Sequence, residues 1–425
     1  MAARSTSSER QTVAVIGAGI VGVCAASWLR RDGHDVVLIE ANAPGMGASY
    51  GNAGNFNASS VVPTSLPRMV RQVPGWLMNP TGPLAIRWTH LPLLAPWLVR
   101  FLRAGHPTRI RGQALALRSL VGAAMDSLMP LVAQANCAHL IRCGGTLTVY
   151  RSRDSFDRAW LAYRLRQEAG VEMELLEGAA LREFEPSLSP DYGLALLVRE
   201  NASTTNPHGL VTALVDSFVR AGGRLLKAEV RGFVVRNGAV SGLSTSDGEV
   251  AADKVVLAAG VQSKRLAARA GDRIPLQTER GYHLMIRDPE VVPRVALSDN
   301  EGKFAVTPMQ HGLRIAGTVE LASEQAAPDW RRARMLAEQA RRLLPGLAAH
   351  YPEERVSMWM GHRPSTPDSL PVIGPARRVR GLFYAFGHGH TGMAGGPMTG
   401  RLVADLVAGR TPLVDLAPFS AGRFR

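Results

Sequence analysis

The chain has 425 residues, of which 46% are hydrophobic, and this size allows a core in each of two domains. Its formal net charge of +14 is carried mostly by arginine, but no nucleic-acid recognition motif accompanies the charge, so we expect no nucleic-acid partner. Three cysteines are too few for a disulfide framework, the first ten residues are too polar for a signal peptide, and no run of about 18 apolar residues predicts a spanning helix, so we expect a cytoplasmic protein.

The first predicted element is a phosphate-binding βαβ unit in residues 13–40. An apolar strand ends at Gly17, a helix follows over about residues 20–31, and a second apolar strand ends at an acid. At this spacing Gly17 allows a tight turn, Gly19 lets the backbone approach a pyrophosphate, and Gly22 lets the helix pack close to the strand. The helix directs its N-terminal amides at the phosphates, so the unit predicts a dinucleotide site.

The acid that ends the second strand is Glu40. A carboxylate at this place accepts hydrogen bonds from both ribose hydroxyls and repels a 2'-phosphate, so NADP is disfavoured. A glycine-rich turn in another kind of α/β domain is the alternative interpretation. The order strand, glycines, helix, strand and acid favours the dinucleotide site.

The next part of the chain is basic and rich in tryptophan. Residues 41–125 contain no Asp or Glu, and residues 68–105 hold three of the seven tryptophans among leucines, prolines and arginines. Such a surface suits an anionic membrane, at which the chain would sit peripherally on the inner face. The tryptophans equally suit the core or an interface of a second domain, and the sequence leaves both interpretations open. The residues concerned are Trp76, Trp88, Trp97, Arg68, Arg71, Arg87, Arg100 and Arg103.

Two later stretches continue the dinucleotide-type pattern. The first predicts a helix near residues 208–221, a strand over 224–227, hairpin turns at Asn237-Gly238 and Asp247-Gly248, and a buried strand that runs into Ala258-Ala259-Gly260. The second predicts a strand over residues 381–386, a glycine-rich loop from Gly387, and a helix.

The expected fold is therefore α/β, with two domains. A discontinuous dinucleotide-binding domain of residues 11–60, 206–266 and 356–415 is interrupted by residues 61–205 and 267–355. The interrupting segments alternate strand-like and helical patterns without phosphate-loop chemistry, which predicts an inserted α+β domain that faces the substrate.

Six sequence blocks together resemble the D-amino-acid oxidase-like superfamily of FAD-dependent oxidoreductases. Within it, the chain is most similar to the group of bacterial D-amino-acid and D-hydroxyproline dehydrogenases. The blocks occur in the family's order over nearly the whole chain and are residues 15–22, 47–54, 255–260, 281–284, 361–368 and 387–390.

The resemblance implies a Rossmann-like FAD-binding domain of the glutathione-reductase type and a substrate-binding domain. It implies FAD rather than NAD, because a flavin must be surrounded along its length by backbone from distant segments. No cysteine lies in a flavin-contacting block, so we expect noncovalent FAD, and we expect no metal. The expected FAD-binding residues are Gly17, Ala18, Gly19, Ile20, Val21, Gly22, Glu40, Ala41, Gly47, Ala48, Ser49, Asn52, Ala53, Gly54, Val230, Ala259, Gly260, Gly361, Arg363, Gly387, Gly389, His390, Thr391, Gly392 and Met393.

Five residues are candidates for the chemistry. The resemblance implies that Arg363 binds the substrate carboxylate, which a planar guanidinium matches bidentately. Tyr282 is favoured over its neighbour His283 to complete that clamp or cover the substrate, because at most one residue of a Tyr-His pair in a strand points into the site. His388 and His390 either assist amine deprotonation or hold their loop. Tyr50, like Asn52, either faces the flavin or is structural.

These residues predict oxidation of a D-amino acid or cyclic imino acid by hydride transfer from Cα to flavin N5. A quinone-type acceptor of the respiratory chain or oxygen then takes the electrons. Two alternatives remain: a flavin-carrying electron-transfer subunit with little turnover alone, and an NAD-dependent dehydrogenase. The sequence leaves open the amino acid, its enantiomer, the acceptor and the oligomeric state.

Overall fold

The computed structural model describes residues 10–66, 73, 75, 79 and 82–424. A six-stranded sheet contains the βαβ unit, and all its neighbouring strands are parallel except the last pair. In spatial order its strands are β10 (Arg224–Lys227), β2 (Asp35–Glu40), β1 (Thr12–Ile16), β14 (Lys254–Leu257), β21 (Leu382–Phe386) and β20 (Val372–Pro375). The strands predicted for this domain thus lie side by side.

Three helices cover one face of this sheet. They are α1 (Ile20–Arg31), α8 (Pro207–Arg220) and α11 (Gly392–Val407). Leu29, Phe218 and Leu402 come from these helices and share one buried core with the strands. The predicted helix at residues 20–31 is confirmed at both ends, and the one predicted near residues 208–221 is confirmed within a residue.

Two small sheets accompany this layer. One is the predicted meander, in which Asn237 has φ 51° and Gly238 has φ 74°, as a tight hairpin turn requires. Its strands are β11 (Val230–Arg236), β12 (Ala239–Thr245) and β13 (Gly248–Ala251). The strands of the other are β3 (Asn55–Phe56), β9 (Ala202–Thr204) and β5 (Ile141–Cys143).

A large mixed sheet forms the second part of the molecule. In spatial order its strands are β19 (Val356–Ser365), β15 (Gln277–Ile286), β18 (Gly312–Leu321), β17 (Phe304–Met309), β16 (Ala296–Asp299), β6 (Thr146–Tyr150), β8 (Leu194–Val198) and β7 (Glu174–Glu177), with β4 (Leu84–Ile86) beside β18. The remaining helices are α2 (Leu91–Ala104), α3 (Pro107–Val121), α4 (Ala124–Gln134), α5 (Arg153–Arg158), α6 (Trp160–Glu168), α7 (Gly178–Phe184), α9 (Ser263–Arg269) and α10 (Arg331–Leu343).

The structure corrects the predicted domain boundaries at two places. Strand β19 pairs along its whole length with β15 of the large sheet, so the dinucleotide-binding part resumes after Ser365 and not at residue 356. Helices α3 and α4 fall in the segment assigned to the inserted domain, yet Leu120 and Leu128 lie in the core of α1 and α11. The sequence pattern predicted the helices and strands, but not which sheet or helix each apolar face packs against.

The stretch Pro107–Gln134 is long and apolar enough to cross a membrane by length and composition alone. It consists of α3 and α4 with a turn at Gly122, and half of it is buried. Its leucines pack against α1 and α11, which is the arrangement of core helices.

The basic, tryptophan-rich stretch divides between the two interpretations. Trp97 is buried and stacks on Phe101, with 5.1 Å between ring centroids, so it belongs to the core. Trp88 is 66% exposed, and Leu93 on α2 is 78% exposed. Trp76 and the two arginines nearest to it in sequence lie outside the described residues.

Candidate active site

A cavity of about 1760 Å³ connects the βαβ unit with the large sheet. It exceeds the ~300–1,000 Å³ of pockets that typically bind small molecules, so it offers room for an extended cofactor and a substrate. Residues 39–43, 45–49, 51–53 and 258–262 line the part beside the six-stranded sheet. Side chains of β15, β16, β17, β18 and β19 line the other part.

The glycine loop has the geometry that its sequence predicts. Gly17 has φ 101°, and a Cβ there would lie 2.5 Å from the carbonyl oxygen of Ala258. A Cβ at Gly22 would overlap the carbonyl oxygen of Gly17. Gly19 differs, because its Cβ would meet only Ser49 Oγ, at 3.3 Å. Two of the glycines therefore serve the fold, while the third leaves its outer side open to the cavity.

Two side chains fix this loop. Glu40 accepts hydrogen bonds from the amides of Ala18 and Asn42, at 2.8 and 3.0 Å. Ser49 Oγ accepts one from the Ile20 amide at 3.0 Å, which satisfies a free amide in the first turn of α1. The acid predicted for the ribose thus lies at the cavity wall beside the phosphate-binding turn.

Most of the predicted FAD-binding residues line the cavity, and four do not. The four are Ala18, Gly22, Gly54 and Thr391. The residues that do line it are Gly17, Gly19, Ile20, Val21, Glu40, Ala41, Gly47, Ala48, Ser49, Asn52, Ala53, Val230, Ala259, Gly260, Gly361, Arg363, Gly387, Gly389, His390, Gly392 and Met393. Cys24, Cys137 and Cys143 do not line it.

Arg363 projects from β19 into the cavity, where its side chain is half-buried. Its guanidinium lies where a Cβ of Gly281 would be, so that glycine makes the space it occupies. Its Nη1 donates to the carbonyl oxygen of Thr318 at 3.2 Å, and no described carboxylate oxygen lies within 4.0 Å. Burial lowers the Arg363 pKa and Glu279 opposes that shift, but guanidinium remains a cation near neutral pH.

Thr318, which holds Arg363, has an unusual backbone. Its φ is 59°, a value that β-branched residues rarely adopt, and the register of β15 against β18 shifts at this place. The buried Thr318 hydroxyl has no hydrogen-bond partner among the described residues. Such strain, in a residue that lines a cavity, is typical of functional sites.

Glu279 and His390 form a second polar feature beside Arg363. His390 Nε2 lies 2.7 Å from Glu279 Oε2, and Glu279 faces Arg363 across the β15–β19 pair. Burial acts to raise the Glu279 pKa, but the hydrogen bond from His390 and the charge of Arg363 hold it below its ordinary value. The cavity wall therefore carries a carboxylate bridged to a half-exposed imidazole.

His388 has a different environment from His390. It is buried, and its Nε2 lies 2.8 Å from Thr399 Oγ1 on α11. Burial lowers its pKa to about 3, so the ring is neutral and ties its loop to the helix. The structure supports the loop-holding alternative for His388.

The prediction that Tyr282 faces the site is wrong. Glu279 and Gly281 line the cavity, so Tyr282 lies on the opposite face of β15, where its hydroxyl donates to Glu320 at 2.5 Å. His283 lies on the same face of β15 as Gly281 but does not itself line the cavity; its ring stacks on Trp359, a lining residue, with 5.3 Å between centroids. Burial is the main cause that lowers the His283 pKa to about 3.

Tyr50 also lies outside the cavity lining. Its ring packs against His208 and Trp359, with centroids 5.5 and 6.1 Å away. Trp359 itself lines the cavity, and its ring fills the space that a Cβ of Gly51 or Gly361 would need. The Trp359 ring thus packs against both of these backbone segments.

The sequence did not predict that Glu279 and Thr318 belong to the site or that the Trp359 ring lines the cavity. The glycines at 281 and 361 were a usable signal, since a glycine inside a strand marks a close approach. No sequence signal placed the strained Thr318, because the bulge depends on strand register.

Comparison with known proteins agrees with this geometry. Residues 12–406 match the family model described as FAD dependent oxidoreductase. A D-amino-acid oxidase of Bradyrhizobium diazoefficiens is 43% identical over 419 residues, which are 98% of this chain and 99% of that protein. A D-amino acid dehydrogenase of Xanthobacter autotrophicus is 30% identical over 97% of this chain and 99% of its own length.

A solved structure gives the same comparison at the level of the fold. Glycine oxidase from Geobacillus kaustophilus superposes with a TM-score of 0.75 at 25% identity, over 97% of this chain and 98% of its own. The chain thus shares its overall fold with this glycine oxidase.

Proposed function

The chain belongs to the DAO family of FAD-dependent oxidoreductases, and from this premise we propose that it oxidises a D-amino acid or a cyclic imino acid at Cα. Two similar proteins act on D-amino acids by name. The observation that carries the proposal is Arg363, a guanidinium that faces the cavity and has no carboxylate partner within 4.0 Å among the described residues. An incoming carboxylate supplies that partner.

The residues of the cavity fit FAD. Gly19 leaves room for a pyrophosphate at the start of α1, and Glu40 lies at the end of β2, where a ribose is bound. The Gly387 loop leads through a short turn into α11, whose N-terminal amides favour negative charge on a neighbouring ring. FAD, when bound, accepts the hydride that leaves the substrate Cα.

Arg363 holds the substrate in this proposal. A bidentate pair with the carboxylate orients the Cα–H bond, and Thr318 keeps the guanidinium in place from behind. The glycine at 281 is required because any side chain there would displace the guanidinium. Binding and orientation are therefore the main contributions of this wall of the cavity.

His390 and Glu279 handle the proton in this proposal. The substrate amine must lose a proton as Cα loses its hydride, which leaves a C=N bond at Cα. Water hydrolyses this imine to a 2-oxo acid and ammonia when the substrate is a D-amino acid, and to a 2-oxo acid that keeps its amine when the substrate is cyclic. His390 is half-exposed at the cavity and is hydrogen-bonded to Glu279, so it is the imidazole of this loop that is placed to receive the proton. His388 is buried and its pKa is lowered to about 3, so it is not suited to receive the proton.

We expect the purified protein to be yellow and D-amino acids to bleach it. Under anaerobic conditions the flavin absorbance near about 450 nm should fall within seconds of adding D-alanine, D-glutamate or D-proline, and the L-enantiomers should have at most about a hundredth of this rate. Stopped-flow spectrophotometry measures both. Reduction by neither enantiomer, with a dye acceptor also inactive, would favour the electron-transfer subunit instead.

A membrane quinone is the acceptor that we propose. Helix α2 contributes Trp97 and Phe101 to the cavity wall, while Leu93 and Val99 of the same helix are exposed. An exposed apolar helix face with nearby arginines suits an anionic membrane surface, which would place the chain peripherally on the inner face. Helix α2 would then lie between the flavin in the cavity and the quinone in the lipid.

We expect the Leu93→Glu/Val99→Glu variant to lose membrane binding. The native holoenzyme should float with phosphatidylglycerol vesicles at low salt, and the bound fraction of the variant should fall at least about fivefold, because two carboxylates replace apolar contacts and repel the lipid. Val219→Glu, at a 43% exposed position on α8, is the control. Equal flotation of all three proteins would show that α2 is not the membrane-binding surface. Absence of flotation in all three, with oxygen consumed at full rate, would point to an oxidase in solution.

A further inference from the structure

A second positive region of the cavity lies away from Arg363 and consists of Arg166 and Lys303. Arg166 is on α6 and Lys303 directly precedes β17, and both line the large cavity. They lie near enough to each other that the charge of Arg166 acts on Lys303. The cavity thus has two separate sets of cations.

Neither cation has a counterion among the described residues. Arg166 Nε donates to the Ser59 carbonyl oxygen at 3.3 Å, and Lys303 Nζ donates to Asn300 Oδ1 at 3.3 Å. No carboxylate oxygen of the described residues lies within 4.0 Å of either group, and residues 67–81 contain no Asp or Glu. Desolvation lowers the pKa of both side chains; Arg166 is half-buried, whereas Lys303 is exposed where it meets the cavity.

Neutralisation of nearby acids does not explain this pair. Asp299 and Glu301 are the acids that raise the Lys303 pKa. Asp299 accepts hydrogen bonds from the Tyr192 hydroxyl at 2.5 Å and from two backbone amides at 2.8 Å. Glu301 is hydrogen-bonded to Ser155. Asp299 is therefore satisfied without the two cations. Glu301 Oε2 has no hydrogen-bond partner among the described residues, but it forms no ion pair within 4.0 Å with Arg166 or Lys303.

The second pair belongs to the same chamber as Arg363. A smaller adjoining cavity of about 140 Å³ is lined by Arg166 together with His390, which is bonded to Glu279 opposite Arg363. In the order of the large sheet, β17 lies three strands from β19, roughly 14 Å between backbones at ~4.8 Å per strand. The long side chains of Lys303 and Arg363 make the distance between their charged groups shorter than this distance between backbones.

We infer that Arg166 and Lys303 bind a second carboxylate, at the end of the substrate side chain, so that the substrate is a dicarboxylic amino acid such as D-glutamate. The inference rests on the proposed function, because it takes Arg363 to hold the α-carboxylate. Thr148 and Ser298, on the strands that follow β17 away from β19, also line the cavity, and their hydroxyls are further donors near Lys303.

Turnover of matched substrates tests the inference. D-Glutamate and D-glutamine have nearly the same shape and differ in the charge of the side chain. In the native holoenzyme we expect kcat/KM for D-glutamate to exceed that for D-glutamine at least about tenfold, the effect of one charge-assisted contact. In Lys303→Gln and Arg166→Gln this ratio should fall to about one, whereas exposed Lys264→Gln should keep it.

Binding without turnover separates the two proposals. Calorimetric titration of the native holoenzyme should show that glutarate binds at least about tenfold more tightly than butyrate, and Lys303→Gln should abolish the difference. If glutarate is preferred but no D-amino acid reduces the flavin, the proposed function fails and the second carboxylate site stands. If D-glutamine is oxidised as well as D-glutamate and the variants affect both equally, the second site is refuted while the oxidation stands.

Discussion

Replacement of Arg363 by leucine is expected to lower kcat/KM for the best D-amino acid about 100-fold. The guanidinium is the cation of β19 that faces the cavity, and a charge-assisted hydrogen bond contributes about 1.5–3 kcal/mol. The hydrogen bond from His390 and the charge of Arg363 both lower the Glu279 pKa, so leucine would leave Glu279 held mainly by His390, with no guanidinium to offset its charge beside the substrate. Steady-state kinetics with a dye acceptor measures the loss, and the flavin-to-protein absorbance ratio checks that FAD remains.

Two further variants separate loss of the guanidinium from general damage. Gly281→Ala keeps Arg363 but places a methyl group where the guanidinium lies, so KM should rise at least about tenfold in a folded, FAD-loaded protein. Gly112→Ala on the exposed side of α3 meets nothing within 4 Å and should match the native enzyme. Unchanged kinetics in both Arg363→Leu and Gly281→Ala would remove Arg363 from the substrate site.

The parts of the fold that could be predicted are those set by local spacing. The glycines at 17, 19 and 22 act within one turn, so their steric roles follow from the sequence alone. The same holds for the hairpin at Asn237-Gly238, whose positive φ values need these residue types. The family assignment, the FAD cofactor and the α/β fold are confirmed for this reason: short motifs in a fixed order carry them.

The parts that could not be predicted depend on register between distant strands. Alternation along β15 requires that only one of Tyr282 and His283 faces the cavity, but which one depends on the pairing with β18 and β19. The bulge at Thr318 and the pairing of Glu279 with Arg363 have the same origin. These contacts determine the substrate end of the cavity, which is why sequence defined the cofactor end better.

The last prediction concerns Gly19, where fold and cofactor can be separated. Gly19→Ala is expected to give a folded protein that has lost FAD, with affinity lower by about 100-fold. Its φ of −76° suits alanine, and the new Cβ would meet only Ser49 Oγ at 3.3 Å, so the fold tolerates it. That methyl group lies on the side where the pyrophosphate must approach the backbone. Circular dichroism and FAD titration of the apoprotein measure the two effects.

Gly22→Ala is the matched comparison for Gly19→Ala, because the same added methyl group is expected to disturb the fold at position 22. Its Cβ would overlap the carbonyl oxygen of Gly17, a backbone atom that cannot move without opening the turn between β1 and α1. We expect this variant to unfold at lower temperature, and its loss of FAD follows from that. If Gly19→Ala instead bound FAD normally, the pyrophosphate would lie elsewhere, and the roles assigned to this end of the cavity would have to be abandoned.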